Sequence, residues 1–163
     1  MPETSTESVH LEPSEAVVHA WTRLNRAQRF LLDHIEEDLK RAGLPPLIWY
    51  DALLELWRAK DHRLRQVDLE QRMLFPQYSI SRLVDRLQDQ GLVRRERRKE
   101  DARAYWIMPT QAGLALRERM WPVYADAIAR HMGGRLSESE ARLLARLLGR
   151  LYAEVSDVGG DRA

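Results

Sequence analysis

Apolar residues recur at three- and four-residue steps from Val17 to Leu39, the spacing of one face of an α-helix. Ser14 or the preceding proline is a suitable start, and Gly43 followed by two prolines is a firm stop. The pattern predicts a first helix of about 28 residues, well above the globular mean of about 11–12. Such a length suggests that the helix packs against more than its own domain. Residues 1–12, polar and acidic, are predicted to be a disordered tail.

Three shorter helices are predicted next. Residues 47–57 are apolar on nearly every face, which indicates a helix buried on several sides. Residues 65–73 form a brief amphipathic pattern whose inward positions are Val67, Leu69 and Met73. After a short break, residues 77–90 form another helix, which Gly91 ends as a C-cap residue. The apolar stripe of this last helix consists of Ile80, Leu83, Val84 and Leu87.

The next segment predicts a β-hairpin. Its flanks, residues 92–97 and 104–108, are short and contain Val, Tyr, Trp and Ile, which favour strands. Two helices follow, one capped by Thr110 and running to about residue 131. The other is opened by a capping box of Ser137 and Glu140 and runs to about residue 155.

The order of these elements predicts the fold class. A short helix, a tight break, a second helix and a hairpin together indicate a winged helix-turn-helix within a mainly α-helical protein. We expect a single domain over residues 13–156, with a DNA-binding lobe at 47–108 and a flexible tail at 157–163. The helices at 13–43 and 110–156 carry more apolar surface than a small lobe absorbs. They are expected to form a dimerisation region across a two-fold axis, or alternatively to pack within one chain.

Composition narrows the class of protein. At 163 residues, with 44% hydrophobic and 31% charged residues, the chain is long enough for one well-buried soluble domain. It has no cysteine, which excludes disulfides and thiolate metal sites and fits a cytoplasmic location. No run of about 18 apolar residues is present, and the N-terminus lacks a signal-peptide pattern, so no membrane association is expected.

Charge is unevenly distributed along the chain. Residues 1–60 contain 7 basic and 10 acidic side chains, whereas residues 61–106 contain 11 basic and 8 acidic. The positive charge therefore lies in the predicted winged lobe. A localised basic patch of this kind is what binding to DNA phosphates requires, because each Lys or Arg placed on a phosphate releases counterions.

The N-terminal part of the helix at 77–90 carries candidate DNA contacts. In a helix-turn-helix the second helix enters the major groove, where Gln pairs with adenine, Arg pairs with guanine, and hydroxyl groups bind phosphates or base edges. The alternative is an ordinary amphipathic helix that begins with polar caps. The candidate DNA-binding residues of this segment are Gln77, Tyr78, Ser79, Ser81, Arg82 and Arg86.

The hairpin tip is built almost wholly from charged residues, without the Gly, Asn or Pro that usually set turn geometry. An Arg at the tip is suited to a narrow minor groove, and Asp101 lies close enough in sequence to orient Arg103. Tyr105 and Trp106 are predicted to anchor the hairpin to its lobe. The alternative is a hairpin that is merely exposed to water. The candidate DNA-binding residues of the hairpin are Arg97, Arg98, Lys99, Asp101 and Arg103.

The block SISRLVDRLQDQGLVRRERRKEDARAYWIMPTQAG, residues 79–113, resembles the MarR family of bacterial transcription regulators. It follows the family pattern of a recognition helix ending in L-x-x-x-G-L-V-x-R, an acidic-x-Arg wing tip, and a strand leading to T-x-x-G. The order of elements extends the resemblance from about residue 14 to 156. Tyr78 stands where the family commonly has Ser or Thr, and Ala102 replaces a frequent second Arg.

The resemblance implies a homodimer whose first and last helices interleave and whose two lobes bind a palindromic operator in double-stranded DNA. Asp101 and Arg103 would correspond to the family's acidic-x-Arg pair, and residues 77–82 to its DNA-reading segment. Many members also bind a small phenolic or anionic effector between the dimer helices and the lobe. The alternative is that the residues predicted to line this pocket belong to the apolar core. The candidate pocket residues are Trp21, Arg23, His34, Trp49, Tyr50 and Trp57.

Catalysis and cofactor binding have no support in the sequence. It contains no nucleophile motif and no phosphate-binding glycine loop, and its five histidines show no metal-ligand spacing. We therefore predict a non-enzymatic regulator without a cofactor or metal, acting as a repressor that a small molecule releases from DNA. The alternatives are a ligand-independent regulator or activator, or a winged-helix module that binds an acidic protein partner.

Overall fold

The computed structural model describes residues 11–74, 79–98 and 104–152. Within these ranges the chain is mainly helical, with one two-stranded antiparallel hairpin between the fourth and fifth helices, as predicted. The elements are α1 (Glu15–Arg41), α2 (Leu47–Arg58), α3 (Gln66–Arg72), α4 (Ile80–Asp89), β1 (Val93–Arg97), β2 (Tyr105–Pro109), α5 (Gln111–His131) and α6 (Glu138–Tyr152). Short 3₁₀ turns lie at Lys60–His62 and Gly133–Arg135.

Helix α1 begins and ends where its sequence signals place it. The side chain of Ser14 accepts a hydrogen bond from the backbone N–H of Val17, which otherwise has no partner in the first turn. Gly43 then adopts a positive φ of 68°, which glycine tolerates without steric cost. Burial in α1 is confined to its C-terminal third, at Ile35, Asp38 and Leu39.

Helix α2 lies at the centre of the hydrophobic core, as its almost uniformly apolar sequence predicts. Leu53 and Leu56 are completely buried among side chains from α1, α3, α4, the hairpin and α5. Glu36 of α1 caps this helix, because its carboxylate accepts a hydrogen bond of 3.0 Å from the backbone N–H of Leu47. Burial raises the pKa of Glu36, and this hydrogen bond acts in the opposite direction.

Helices α3 and α4 form the helix-turn-helix. Leu69 and Met73 point inward as predicted, whereas Val67 is half-exposed, so its predicted burial is wrong. A seven-residue helix buries too narrow a face to cover all three positions.

The described part of α4 begins at Ile80, three residues later than the start predicted from sequence. Ser79 has an extended backbone and acts as the N-cap, with its hydroxyl accepting from the N–H of Arg82 at 3.5 Å. Gly91, with a φ of 69°, ends the helix as predicted.

The hairpin pairs Val93 with Pro109 at one end and Arg97 with Tyr105 at the other. A third segment, not predicted from sequence, joins it at Leu64. Leu64 and Ile107 exchange two backbone hydrogen bonds of 3.1 and 2.8 Å, so β2 is paired on both edges. This bridge connects the hairpin to the residues that immediately precede α3.

Thr110 and Gly113 join the hairpin to α5. The Thr110 hydroxyl donates to the carbonyl of Gly91 at 2.6 Å and accepts from the N–H of Gly113 at 3.1 Å. A Cβ added at Gly113 would lie 2.1 Å from the carbonyl oxygen of Leu92, so only glycine permits this approach. The T-x-x-G motif is therefore a backbone junction between the end of α4 and the start of α5.

A polar cluster joins α1 to the end of α5. Asp38 is buried, and its Oδ2 lies 2.7 Å from His131 Nε2 and 3.2 Å from Arg130 Nη2. Arg41 lies 3.4 Å from the other carboxylate oxygen. The hydrogen bond with His131 lowers the pKa of Asp38, against the opposing effect of burial.

Helix α6 differs from the others because none of its residues is buried. Its start is as predicted: the Glu140 carboxylate accepts from the backbone N–H of Ser137, and the Ser137 hydroxyl accepts from the N–H of Glu140. The cap defines where the helix begins, but none of the leucines of its apolar stripe, Leu144, Leu147, Leu148 and Leu151, is buried by the described chain.

Candidate nucleic-acid interface

Helix α4 presents one buried and one exposed face. Its stripe of Ile80, Leu83, Val84 and Leu87 is at most 3% exposed and holds the helix against the core. The side chains of Ser81, Arg82 and Arg86 lie on the exposed face. The structure thus brings together three of the predicted contact residues on one surface. Gln77 and Tyr78 lie outside the described residues.

Two predicted residues of this helix have local roles that the sequence pattern did not specify. The Ser79 hydroxyl is used as the helix cap. The Arg86 side chain folds back along the helix, where its Nε donates to the carbonyl of Arg82 at 3.3 Å. Ser81 and Arg82 are therefore the residues of the described helix that lie near its N-terminus and face solvent.

Arg95 connects the hairpin to the recognition helix. Its guanidinium group donates to Asp85 at 2.6 Å and to Gln88 at 2.9 Å, both on α4. Charge-assisted hydrogen bonds of this kind hold two elements in a defined orientation. The sequence pattern did not predict this pairing of Arg95 with α4. The available signal was an acidic and an amide residue three positions apart on the helix that precedes the strand.

The base of the wing combines arginines with aromatic rings. Arg97 is exposed and its guanidinium carbon lies 6.0 Å from the centroid of the Tyr105 ring. The guanidinium carbon of Arg98 lies 4.9 Å from the centroid of the Trp106 ring. Trp106 is half-buried, as is expected of a residue that anchors the hairpin, whereas Tyr105 is exposed. The wing-tip candidates Lys99, Asp101 and Arg103 lie outside the described residues.

A cavity of about 360 Å³ lies between α2 and α5. Of the six pocket residues predicted from sequence, Tyr50 lines it, and the other five do not. The residues that line the cavity are Leu47, Tyr50, Asp51, Leu54, Arg58, Leu74, Arg117, Trp121, Tyr124 and Ile128.

The predicted pocket set is dispersed over the structure. Trp21 and Arg23 are exposed on the N-terminal half of α1, and Trp49 is half-buried against the core. His34 packs against the ring of His131 at 5.0 Å. Trp57 is exposed and lies 4.4 Å from the Arg117 guanidinium. The six predicted pocket residues therefore do not line one common surface, because they face different directions on α1 and α2.

The cavity has an aromatic wall that sequence reasoning missed because it assigned α5 to dimerisation. Tyr50 stacks with Trp121 at 6.2 Å and meets Tyr124 edge-on at 5.2 Å. Burial raises the pKa of both tyrosines, which are neutral phenols at neutral pH even at the ordinary tyrosine pKa of about 10. The spacing of Trp121 and Tyr124 by three positions on one helix was the signal available.

The cavity also contacts the turn of the helix-turn-helix. Asp51 is buried, and its Oδ2 accepts a hydrogen bond of 2.8 Å from the backbone N–H of Leu74, just after α3. Both Asp51 and Leu74 line the cavity. A single hydrogen bond, from Leu74 to Asp51, therefore connects the cavity to the segment that leads into α4.

The described ranges lack two further features, a membrane-spanning helix and a metal-binding cluster. No helix there is both long and apolar enough to cross a membrane. No group of three or more His, Asp or Glu side chains in those ranges is arranged to hold a metal ion.

Comparisons with known proteins agree with this geometry. A family model described as the MarR family matches residues 42–104, which include α2, the helix-turn-helix and the first strand of the hairpin. The transcriptional regulator MhqR of Bacillus subtilis is 31% identical over 129 residues, or 78% of this chain and 86% of MhqR. The transcriptional regulator PrsX of Escherichia coli is 29% identical over 133 residues, or 82% and 79% of the two chains.

A solved structure extends the match to the whole fold. The MarR family regulator Sco3205 of Streptomyces coelicolor, determined in complex with DNA, has a TM-score of 0.73 and 27% identity. The alignment covers 88% of this chain and 92% of Sco3205. These relatives are regulators rather than enzymes, in agreement with the prediction. The winged helix-turn-helix, its T-x-x-G junction and the extent of these matches show that this chain belongs to the MarR family of transcriptional regulators.

Proposed function

We propose that the protein is a homodimeric repressor that binds a palindromic operator in double-stranded DNA and is released from it by a small anionic aromatic molecule. The observation that carries the DNA-binding part is α4 itself. Its apolar face is wholly occupied by the core, while Ser81, Arg82 and Arg86 face solvent beside an arginine-rich hairpin. The relative Sco3205, which was solved with DNA, shares this fold.

The proposed DNA contacts fall into two groups, residues that read bases and residues that bind the DNA backbone. Ser81 and Arg82, near the N-terminus of α4, have the chemistry for base edges in the major groove, and Gln77 and Tyr78 come just before the helix cap Ser79 in sequence. The wing supplies positive charge for phosphates or a minor groove. Its proposed contact residues are Arg97, Arg98, Lys99 and Arg103, with Asp101 orienting Arg103.

Dimerisation is supported by apolar surface that the single chain leaves open. Trp21 in α1 is 67% exposed and Leu151 in α6 is 72% exposed. A 15-residue helix with no buried side chain is at best marginally stable in water without tertiary packing. A second copy that covers α1 and α6 would bury both stripes at once and would set the spacing of the two α4 helices.

The cavity supports regulation by a ligand. Its rings Tyr50, Trp121 and Tyr124 suit a planar aromatic molecule, and Arg117 and Arg58 suit a negative charge on it. A ligand that displaces the Asp51–Leu74 hydrogen bond would change the approach to α4. The ligand lowers DNA affinity only to the extent that it binds the DNA-free arrangement more tightly than the DNA-bound arrangement.

Binding of purified protein to DNA from its own upstream region tests the regulator function. Phosphate contacts numbering about 6–10 would reduce the affinity about 10³- to 10⁵-fold between 50 and 200 mM salt. Arg82→Ala is expected to weaken specific binding by about 1–3 kcal/mol. The matched control, Arg119→Ala on the exposed surface of α5, is expected to leave affinity unchanged. Salt-insensitive or absent binding would favour a protein-interaction module instead.

The effector part is tested with hydroxybenzoates and with the corresponding uncharged benzyl alcohols. We expect the anions to lower operator affinity and the alcohols to have much weaker effects, because only the anions pair with Arg117. Arg117→Gln should remove this difference while leaving DNA affinity without ligand unchanged. If no hydroxybenzoate alters DNA binding, and none changes the intrinsic tryptophan fluorescence, the proposed ligand class is wrong.

A further inference from the structure

Arg95 in β1 is an arginine of the hairpin that is turned towards the recognition helix. Its Nη2 donates to Oδ1 of Asp85 at 2.6 Å, and its Nη1 donates to Oε1 of Gln88 at 2.9 Å. Asp85 and Gln88 are three positions apart and therefore lie on one face of α4. The Arg95 side chain is 25% exposed, whereas that of the neighbouring Arg94 is 59% exposed. The guanidinium fork therefore joins the hairpin to α4 at two points.

This fork adds direction to a hairpin that is otherwise held by apolar contacts. Buried Val93 and Ile107 anchor the base of the hairpin in the core. Apolar burial is non-directional, whereas two charge-assisted hydrogen bonds from one planar group require a defined geometry. Arg95 pairs with Ile107 in the hairpin, and Ile107 is hydrogen-bonded to Leu64 on its other edge. The pairing of Arg95 with Asp85 therefore fixes the direction in which the wing leaves α4.

Asp85 lies at a position where a carboxylate by itself opposes DNA binding. It comes four positions after Ser81 and three after Arg82, so it shares the solvent-facing side of α4 with these proposed contacts. Its side chain is 55% exposed, and a negative charge there repels phosphates. An ion pair this exposed also adds little to the stability of the fold. The function of this carboxylate therefore follows from the group that it holds, the guanidinium of Arg95.

We propose that Asp85 is a positioning residue for sequence-specific DNA binding, which acts through Arg95 to align the wing with α4 so that both reach the operator together. The proposal rests on the DNA-binding function above and assigns a role to an acidic residue that cannot itself bind a phosphate. Without the Asp85–Arg95 pair the wing keeps its positive side chains. Binding to any duplex therefore persists, while the preference for the operator falls.

The test compares affinity for the upstream DNA fragment that the wild-type protein binds with affinity for a scrambled duplex of equal length, over a series of salt concentrations. Asp85→Asn should weaken binding to the upstream fragment about 3- to 10-fold, because it weakens the bond that aligns the wing. On the scrambled duplex it should bind as tightly as wild type or more tightly, because a negative charge has been removed. Asp85→Glu, which keeps the carboxylate, should retain more affinity for the upstream fragment than Asp85→Asn.

The matched control is Asp89→Asn on the same helix. Asp89 is exposed and forms no ion pair within the described ranges, so the same change of charge there should weaken binding to neither duplex. The double variant Asp85→Asn/Arg95→Gln leaves the net charge unchanged. It should bind the upstream fragment about as weakly as Asp85→Asn alone, because both changes break the same pair. A salt slope reduced by about 1 on both duplexes would instead identify Arg95 as a phosphate contact and overturn the proposal.

Thermal unfolding of each variant shows whether the lobe still folds, and the double variant carries the same comparison if Asp85→Asn is unstable. If Asp85→Asn binds the upstream fragment as tightly as wild type or more tightly, the positioning role is wrong while the proposed function stands. Equal weakening on both duplexes would also contradict it, because the loss would then not concern sequence. If the wild-type protein binds neither duplex, or prefers neither, the proposed function itself fails.

Discussion

The winged helix-turn-helix and the terminal helices use apolar residues in opposite ways. In the segment from α2 to β2, leucines such as Leu53, Leu56 and Leu83 are almost completely buried within one chain. In the N-terminal half of α1 and in α6, residues of equal hydrophobicity remain open to solvent, including Trp21 and Leu151. Both regions show clear helical periodicity, so periodicity alone does not distinguish them.

The difference shows that an amphipathic pattern predicts a face to be buried but does not name its partner. The lobe has several elements that surround α2, so its stripes are covered intramolecularly. Helix α6 follows α5 as the last described element and has no such neighbours on its apolar side. Its stripe is therefore a candidate for contact between two chains, and perturbing each region should have different consequences.

The largest effect is expected from Leu147→Glu combined with Leu151→Glu on α6. Leu147 is 45% exposed and Leu151 is 72% exposed in the single chain, and complete burial of a leucine is worth about 1.5–3 kcal/mol. The two substitutions on both protomers of the proposed dimer should therefore remove about 4–7 kcal/mol of association. Sedimentation equilibrium should then show monomers and DNA affinity should collapse. Arg146→Glu adds a carboxylate to a different face of α6, where Arg142, Arg146 and Arg150 are exposed, and should leave the dimer intact. A double variant that stays dimeric would show that α6 is not the interface.

The second effect concerns the lobe alone. Gly113→Ala places a methyl group 2.1 Å from the Leu92 carbonyl oxygen, and the forced backbone shift should cost about 3 kcal/mol or more in the free energy of unfolding. Gly149→Ala in α6, where an added methyl meets nothing, should be neutral or stabilising by up to about 1 kcal/mol. Urea unfolding measures both, and equal effects would contradict the described junction.

The third effect tests the polar cluster between α1 and α5. Because the folded-state pKa of Asp38 is lowered, its contribution to stability is complete above the ordinary Asp pKa of about 3.9 and is lost as the pH falls below it. Asp38→Asn should lower the free energy of unfolding by about 2 kcal/mol at pH 7 and by less at pH 3. The measurement is urea unfolding at both pH values; a pH-independent difference would contradict the role of the carboxylate charge.

The smallest effects are expected at the helix caps. Thr110→Ala removes the cap of α5 and Ser137→Ala removes that of α6, each at a cost of about 1 kcal/mol. Thr110 lies against the lobe, so its loss should lower the unfolding midpoint at any protein concentration. If α6 is ordered by a partner chain, Ser137→Ala should lower the unfolding midpoint more at low protein concentration than at high protein concentration. Equal concentration dependence would argue against that difference between the regions.

Features that depend on a few neighbouring residues could be predicted from the sequence. Ser14, Gly91, Thr110 and the Ser137–Glu140 pair all act where the sequence placed them, because a cap needs only its own side chain and the next turn. The start of α4 was predicted at Gln77, three residues too early, because Pro76 in the sequence is well placed to open a helix, although Ser79 caps the described helix. Two valid start signals lay close together, and only the backbone distinguished them.

The sequence by itself determined the succession of elements, the family and the polar face of α4, because these follow from periodicity, caps and a local motif. Only the tertiary structure decided which distant residues meet. It paired Arg95 with Asp85, Leu64 with Ile107 and Trp106 with Arg63, and it lined the cavity with α5 rather than α1. The physical reason is that these contacts depend on how whole helices pack, and packing direction is a property of the assembled core rather than of any one segment.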